Sequence, residues 1–205
     1  MTTISIIGAG TMAEAIGTRA AQHGHTIELI SRSADKAQRL ADRVGHGATV
    51  GTYGARPAGD IVIIAVPYAH AVDVVAHHGD ALAGKVLVDI TNPFNDDATG
   101  VVTTLGHSVS EQIAAVAPDS AHVVKAFNTI FGGVIAGDAP LDAFTAGDSA
   151  TAKAAVAELL ASIGMQPRDA GSLAMAHALE WAGILLVGVA NNGAGFSAAL
   201  KVEVR

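Results

Sequence analysis

A glycine-rich turn near the start of the chain has the residue types and spacing that bind a pyrophosphate. The stretch Ile4–Ala13 reads as an apolar strand, a turn and a helix start, with the pattern G-x-G-x-x-A. Gly8 permits the tight bend, Gly10 lets the backbone approach phosphate oxygens, and Ala13 lets the helix pack on the strand. The N-terminus of that helix attracts anions. The pattern predicts a dinucleotide bound through Gly8, Ala9, Gly10, Thr11 and Met12. With 23 glycines in the chain, the alternative is a chance match that binds nothing.

The end of the second predicted strand indicates which dinucleotide binds. NAD sites usually place a carboxylate there for the ribose 2′-hydroxyl, whereas NADP sites place a cation for the 2′-phosphate. Here Thr26–Ser31 is followed by Arg32, with Lys36 about one helical turn further on. Glu28 lies inside the strand and is expected to point away. We therefore predict NADP(H), held by Ser31, Arg32, Ser33 and Lys36. The alternative is that Arg32 and Lys36 are ordinary surface cations.

The carboxyl ends of three further predicted strands should surround the nicotinamide and its redox partner, because ligands bind outside these ends in open parallel sheets. The residues predicted to contact the cofactor here are Ala65, Val66, Pro67 and Asn92. The candidates on the acceptor side are Asn92, Asn128, Thr129 and Ile130. For each asparagine the alternative is a turn residue that bonds its own backbone. No side chain is assigned a catalytic role, since hydride transfer between cofactors depends on orientation.

Other groups that could do chemistry are expected to be structural. Lys125 lies inside a predicted strand among apolar residues. It could be catalytic, but we expect that it pairs with Asp89 or extends to the sheet edge. The nine histidines include no H-E-x-x-H spacing and the chain has no cysteine, so no metal site is predicted. The G-x-S-x-G elbow of many hydrolases is absent from the sequence.

Alternating strand and helix patterns predict a doubly wound, mostly parallel α/β sheet, that is, a Rossmann fold with a small C-terminal helical extension. We assign residues 1–150 to an NADP-binding domain. Residues 151–205 are assigned to an extension that covers the acceptor site and supplies a dimer contact. A helix over Ser108–Ala117 is expected to begin with a capping box formed by Ser108 and Glu111. A long helix is predicted over Ser172–Ala190.

Composition narrows the choice of partners. The net charge of -7 argues against nucleic acid, whose binders carry basic patches. No signal-peptide pattern precedes the first strand, and the longest apolar run, Trp181–Ala190, is shorter than the ~20 residues that span a bilayer. We therefore expect a cytoplasmic homodimer whose partners are small redox molecules, with no nucleic acid and no membrane.

The chain resembles the family of NADP oxidoreductases that use coenzyme F420, the 8-hydroxy-5-deazaflavin. The resemblance covers nearly the whole chain. It rests on the glycine turn, Ser31-Arg32 with Lys36, Asp60–His70, Asn128–Ile130, Gly147-Asp148 and Asp169–Leu173. It implies hydride transfer between NADP(H) and F420, with the Ser-Arg-Lys set on the 2′-phosphate. Archaeal members have His-Thr-Ile where this chain has Asn128-Thr129-Ile130, and their loop after the strand predicted here over Lys85–Asp89 differs from Thr91–Phe94.

These departures concern the acceptor. The segment Val123–Thr129 is similar to broader bacterial relatives and to the NADPH-binding part of membrane ferric reductases, which use flavin or unknown acceptors. Coenzyme F420 and FMN or FAD are therefore all kept as co-substrates. The alternatives are an NADPH-dependent flavin or ferric reductase and a non-catalytic NADPH-sensing module. A small imine or hydroxyacid reductase is disfavoured by the length of the chain.

Overall fold

One eight-stranded sheet with helices on both faces forms the core of the protein, and the computed structural model describes residues 1–137 and 139–203. The strand order is β3-β2-β1-β4-β5-β6-β7-β8. All neighbouring strands are parallel except β6 and β7. The strands are β1 Thr3–Ile7, β2 Thr26–Ile30, β3 Thr49–Val50, β4 Ile61–Ile64, β5 Val86–Asp89, β6 His122–Lys125, β7 Leu141–Gly147 and β8 Met165–Asp169. This order confirms the predicted doubly wound, mostly parallel fold.

The described residues form seven α-helices, and the helix predicted over Ser108–Ala117 is present with each end one residue shorter. They are α1 Thr11–Gln22, α2 Ala34–Val44, α3 Tyr68–His78, α4 Val109–Val116, α5 Gly132–Ile135, α6 Ala150–Ser162 and α7 Ala176–Val189. The short helix α5 was not predicted. The capping box is confirmed: the Ser108 hydroxyl accepts from the Glu111 N–H, and the Glu111 carboxylate accepts from the Ser108 N–H. The predicted long C-terminal helix begins with a 3-10 turn, Leu173–Met175, and ends in a kinked wide turn, Ala190–Ala194.

The sheet is apolar on both faces, which explains its near-continuous runs of isoleucine and valine. Successive side chains of a strand point to opposite faces. Ile4 and Ile6 accordingly join the core on the side of α1 and α6, while Ile7 joins the core on the side of α3 and α4. All four residues of β4 are buried. The strands therefore form a rigid base whose carboxyl ends hold the candidate site.

The sheet continues past residue 150. Helix α6 and strand β8 follow this point, and β8 pairs with β7 over five residues. Further along, Ala199 forms an isolated antiparallel bridge with Ile130, at the carboxyl side of β6. The C-terminal segment thus returns to the end of the sheet where the acceptor candidates lie. The division at residue 150 stays a prediction.

One helical segment in residues 1–137 and 139–203, Leu173–Ala194, is long and apolar enough to cross a membrane by length and composition alone. It is longer than the continuous apolar run that the sequence showed. Core helices of soluble proteins pass the same test. Here Leu179, Gly183 and Leu186 are buried against the domain, whereas Trp181, Leu185 and Val189 are exposed.

Two buried histidines should make the fold sensitive to acid. His25 bonds to the Ser162 hydroxyl and His78 bonds to the Val74 carbonyl, and burial lowers the pKa of both rings. The unfolded chain then binds protons more readily below the ordinary value of about 6.5, so stability is complete above that pH and falls below it. We expect the free energy of unfolding, measured with urea, to fall from pH 7 to pH 5. The double variant His25→Gln/His78→Gln should show a shallower fall. An equally steep fall in this variant would contradict the assignment.

Candidate functional site

The glycine turn draws the ends of three strands together. Gly8 has a φ of +141°, and a Cβ placed on it would lie 2.0 Å from the Ala65 carbonyl oxygen. Its N–H donates to the Ile30 carbonyl at 2.8 Å. A side chain at Gly8 would therefore push β4 away from β1 and β2.

Gly10 differs from Gly8, because the protein itself leaves room for a side chain there. A Cβ on Gly10 would meet no protein atom within 4 Å. Gly10 is the N-cap residue of α1, and no side chain caps this helix. The first N–H groups of α1 therefore face an open cavity, as an anion site requires. The open space at Gly10 suits a bound pyrophosphate, which needs close approach to the backbone.

A cavity of about 300 Å³ lies beside the turn, at the ends of β1, β2 and β4, and we call it the adenosine cavity. Its lining residues are Ile7, Gly8, Ala9, Gly10, Ser31, Arg32, Lys36, Tyr53, Ala65, Val66, Pro67, His70 and Val74. None of these is acidic. Arg32 and Lys36 are exposed, and no carboxylate among the described residues forms an ion pair with either of them. Two unpaired cations beside a ribose position suit a 2′-phosphate.

Two further residues near the end of β2 have structural roles. The Glu28 carboxylate accepts hydrogen bonds from the Ser5 hydroxyl at 2.5 Å and the Ala58 N–H at 2.8 Å. It is therefore turned away from the cavity, as the sequence predicted. Ser33 was predicted to contact the cofactor, but its hydroxyl caps α2 by accepting from the Lys36 N–H. Ser33 does not line the adenosine cavity.

A second cavity, of about 410 Å³, continues from the first and shares its wall at Gly10, Ala65, Val66 and Pro67. We call it the nicotinamide cavity. Its remaining lining residues are Thr11, Met12, Tyr68, Ile90, Thr91 and Asn92. The two cavities together bring all the predicted cofactor residues except Ser33 onto one continuous surface. This surface runs across the N-terminus of α1, so the residues present fit an extended dinucleotide.

A third, smaller cavity of about 170 Å³ adjoins the nicotinamide cavity at Met12, Ile90 and Asn92, and we call it the acceptor cavity. It also includes Phe94, Phe127, Asn128, Ile130, Phe131, Gly132, Gly183, Leu186 and Val187. Three of the four predicted acceptor-side residues line it. Thr129 does not line it, and its buried hydroxyl has no hydrogen-bond partner among the described residues.

Asn92 and Asn128 hold each other in place. The Asn92 amide donates to the Asn128 carbonyl at 2.7 Å. The Asn128 amide donates to Asn92 Oδ1 at 3.0 Å and to the Leu179 carbonyl of α7 at 2.8 Å. Neither side chain bonds its own backbone, which was the alternative considered for each asparagine. A Cβ on Gly183 would lie 3.0 Å from Asn92 Oδ1, so α7 packs directly on this pair.

The backbone before Asn128 is strained. Phe127 is fully buried and has a φ of +60°, a left-handed conformation that costs a non-glycine residue about 1–3 kcal/mol. The strain places Asn128 at the wall of the acceptor cavity, where its buried Oδ1 has no partner in the described part of the chain. An unpaired buried oxygen is costly, which adds to the strain at this position.

A buried ionic network links β5, β6 and α7 next to the acceptor cavity. Lys125 donates to Asp89 Oδ2 at 2.8 Å and to the Thr91 carbonyl at 2.6 Å, and lies 3.6 Å from Glu180 of α7. All three charged side chains are fully buried. The predicted pairing of Lys125 with Asp89 is confirmed. Since Thr91 precedes Asn92, the network fixes β5, β6 and α7 relative to the asparagine pair.

Several residues of the site were not predicted from the sequence. Tyr53 follows β3, whose carboxyl end lies beside that of β2, so the strand order could have indicated it. His70 was noted only as part of the Asp60–His70 stretch. Gly183 and Leu186 of α7 could not be assigned to the site from the pattern, which is equally apolar on the exposed side of that helix. Among residues 1–137 and 139–203, no three His, Asp or Glu side chains converge as metal ligands do.

Residues 3–93, from β1 to the loop after β5, match the family model described as NADP oxidoreductase coenzyme F420-dependent. The F420-dependent NADP reductase of Methanocaldococcus jannaschii is 30% identical over 139 residues, covering 64% of this chain and 62% of that protein. Over these residues the chain is similar to the coenzyme F420-dependent NADP oxidoreductases.

Two further relatives show how far the similarity extends. Metalloreductase STEAP3 of Rattus norvegicus is 30% identical over 182 residues, which is 86% of this chain and 35% of that protein. This chain thus spans about a third of one curated relative and less than two thirds of the other. The crystal structure of a putative F420-dependent NADP reductase from Arthrobacter sp. FB24 covers all of both chains, with a TM-score of 0.85 and 24% identity, and so shares the fold.

Proposed function

We propose that the protein binds NADP(H) along the adenosine and nicotinamide cavities and transfers a hydride between NADP(H) and the deazaflavin coenzyme F420. The observation that carries the proposal is the continuous surface across the uncapped N-terminus of α1. Arg32 and Lys36, which pair with no carboxylate in the described part of the chain, lie at one end and the acceptor cavity lies at the other. The match of residues 3–93 to the F420-dependent NADP oxidoreductase model supports the NADP part. The M. jannaschii relative supports the F420 part.

Bound NADPH supplies the hydride, so this chain has to bind the two redox partners, orient their rings and exclude water from them. Arg32 and Lys36 hold the 2′-phosphate, and the N–H groups of α1 hold the pyrophosphate. Asn128 forms part of the acceptor cavity wall, and its hydrogen bonds to Asn92 and Leu179 fix that wall. Phe94, Ile130 and Leu186 provide the apolar surface that keeps water from the reacting rings. Holding two rings at reacting distance can supply about 7–11 kcal/mol of the barrier.

A panel of acceptors tests the proposal in steady state. Purified protein is mixed with NADPH and, separately, coenzyme F420, FMN, FAD or chelated ferric iron, and the oxidation of NADPH is followed by absorbance. The proposal predicts turnover with F420 and little or none with the other acceptors. Turnover with flavin or iron but not F420 would overturn the F420 assignment.

The similarity to Metalloreductase STEAP3 over 86% of this chain favours one alternative, an NADPH-dependent flavin or ferric reductase of the same fold. The replacement of a histidine by Asn128 in the family pattern lies on the acceptor side and agrees with it. Activity with FMN, FAD or iron in the panel above would select this function. Tight NADPH binding without turnover of any acceptor would instead indicate the non-catalytic NADPH-sensing module.

One exposed row of side chains along α7 is apolar. The exposed apolar residues Trp181, Leu185 and Val189 recur every four positions along α7, and we propose that they form a homodimer contact. Sedimentation velocity would measure the mass of the protein in solution; a monomer at micromolar concentration would contradict the dimer.

The cytoplasmic location is proposed as well, supported by the buried face of α7, and fractionation of cells would test it.

A further inference from the structure

The adenosine cavity has one aromatic wall that the predicted site does not include. Tyr53 lines this cavity together with Ser31, Arg32 and Lys36. It lies in the loop after β3, and β3 pairs with β2, the strand that ends at the 2′-phosphate residues. The adenine of a dinucleotide is attached to the ribose that carries this phosphate. It must therefore occupy the part of the cavity that Tyr53, His70 and Val74 enclose.

The loop that carries Tyr53 is a tight turn with a defined geometry. The Ala55 N–H donates to the Thr52 carbonyl at 3.1 Å, which closes a four-residue turn with Tyr53 at its second position. Gly54, at the third position, has a φ of +83°, as a type II turn requires. A Cβ on Gly54 would lie 3.0 Å from His77 Nε2, so the turn packs against the end of α3.

Two histidines at the end of α3 hold the tyrosine. The His77 ring stacks on Tyr53 with centroids 4.7 Å apart and an interplanar angle of 19°. The His78 ring contacts Tyr53 at a steep angle, with centroids 4.9 Å apart. The Gly54 N–H donates to His78 Nε2 at 3.1 Å, while His78 Nδ1 bonds to the Val74 carbonyl at 2.8 Å. This arrangement requires neutral His78 with its proton on Nδ1.

We infer that Tyr53 is the adenine-contacting residue of the NADP(H) site and that His78 is its positioning residue, acting through the Gly54 N–H. The inference rests on the proposed binding of NADP(H). Tyr53 presents an aromatic ring whose orientation is fixed before the ligand arrives, so little side-chain freedom is lost on binding. An aromatic surface suits the flat adenine ring, and its contact with a base is worth roughly 5- to 150-fold in affinity.

The test measures binding of NADPH and of 2′,5′-ADP, which contains only the adenosine half, by isothermal titration calorimetry. Tyr53→Ala should weaken the binding of both ligands by the same factor, roughly 5- to 150-fold, whereas Tyr53→Phe should bind both within about threefold of wild type. Tyr68→Ala is the matched control. Because Tyr68 lines the nicotinamide cavity and not the adenosine cavity, this variant should bind 2′,5′-ADP as wild type does. Unchanged affinity of Tyr53→Ala for 2′,5′-ADP would overturn the role of Tyr53.

The positioning role is tested with two substitutions of His78. His78→Gln keeps an acceptor for the Gly54 N–H and should retain the affinity for 2′,5′-ADP. His78→Leu removes that acceptor and should lose as much affinity for 2′,5′-ADP as Tyr53→Ala does. Combined with Tyr53→Ala, His78→Leu should cause no further loss, since both remove the same contact. Fully additive losses, or equal losses in the glutamine and leucine variants, would overturn it. Wild-type protein that binds neither ligand would instead refute NADP(H) binding itself.

Discussion

Replacing Arg32 with alanine is expected to weaken NADPH binding by roughly 10- to 150-fold and to leave NADH binding within about threefold of wild type. The guanidinium is exposed at the edge of the adenosine cavity and has no carboxylate partner in the described part of the chain. It is therefore free to form charge-assisted hydrogen bonds with a 2′-phosphate. NADH lacks that phosphate, so the affinity for NADH should not depend on Arg32. Titration of each cofactor, followed by fluorescence, measures both effects.

Arg39→Ala provides the control for Arg32→Ala. Arg39 is also exposed on the same segment of chain, in α2, but it does not line the adenosine cavity. This variant removes the same charge from the protein and should bind NADPH nearly as wild type does. If both variants lost affinity equally, the effect would be a long-range one of net charge. If Arg32→Ala lost affinity for NADPH and for NADH by the same factor, the role of Arg32 at the 2′-phosphate would be refuted.

Replacing Lys125 with methionine is expected to destabilise the protein by about 3–5 kcal/mol, because Asp89 and Glu180 would remain buried without their cation. All three side chains are fully buried in the structure. Urea unfolding measures the loss. The triple variant Lys125→Met/Asp89→Asn/Glu180→Gln removes every charge of the network and should recover part of the stability.

Lys85→Met is the matched control for Lys125→Met. Lys85 is buried just before β5 and pairs with Asp60 at 3.1 Å, but the Asp60 side chain is 92% exposed. Removal of Lys85 leaves a hydrated carboxylate, so it should cost about 1 kcal/mol or less. Equal losses in the two lysine variants would mean that burial of the partner carboxylates does not set the cost.

The sequence could bring the predicted cofactor residues together because that half of the site depends on local rules; that they bind a cofactor stays a prediction. The G-x-G-x-x-A turn has one geometry, which is seen in the close approach of Gly8 to the Ala65 carbonyl and in the uncapped N-terminus of α1. The position after β2 likewise follows from strand order, so Arg32 and Lys36 could be placed in the cavity without a structure. Ser33 was misplaced because a serine before a helix can either bind a phosphate or cap the helix, and here it caps α2.

The acceptor half depends on contacts between distant parts of the chain, which no local pattern contains. Asn92 and Asn128 were singled out as strand-end residues, but their mutual hydrogen bonds require β5 and β6 to be in register. The contact of Gly183 with Asn92 requires the packing angle of α7. The positive φ of Phe127 could not be expected for an aromatic residue. Tyr53 was missed because β3 has only two residues and gave a weak signal.

A single-turnover experiment with labelled cofactor tests the central claim most directly. Excess protein is mixed in a stopped-flow instrument with coenzyme F420 and NADPH that carries deuterium on the transferable C4 position. The proposed function predicts bleaching of the oxidised deazaflavin, slower than with unlabelled NADPH, and deuterium in the reduced deazaflavin, because the hydride passes directly between the two rings. No bleaching, or reduced deazaflavin without deuterium, would contradict direct hydride transfer from NADPH to F420.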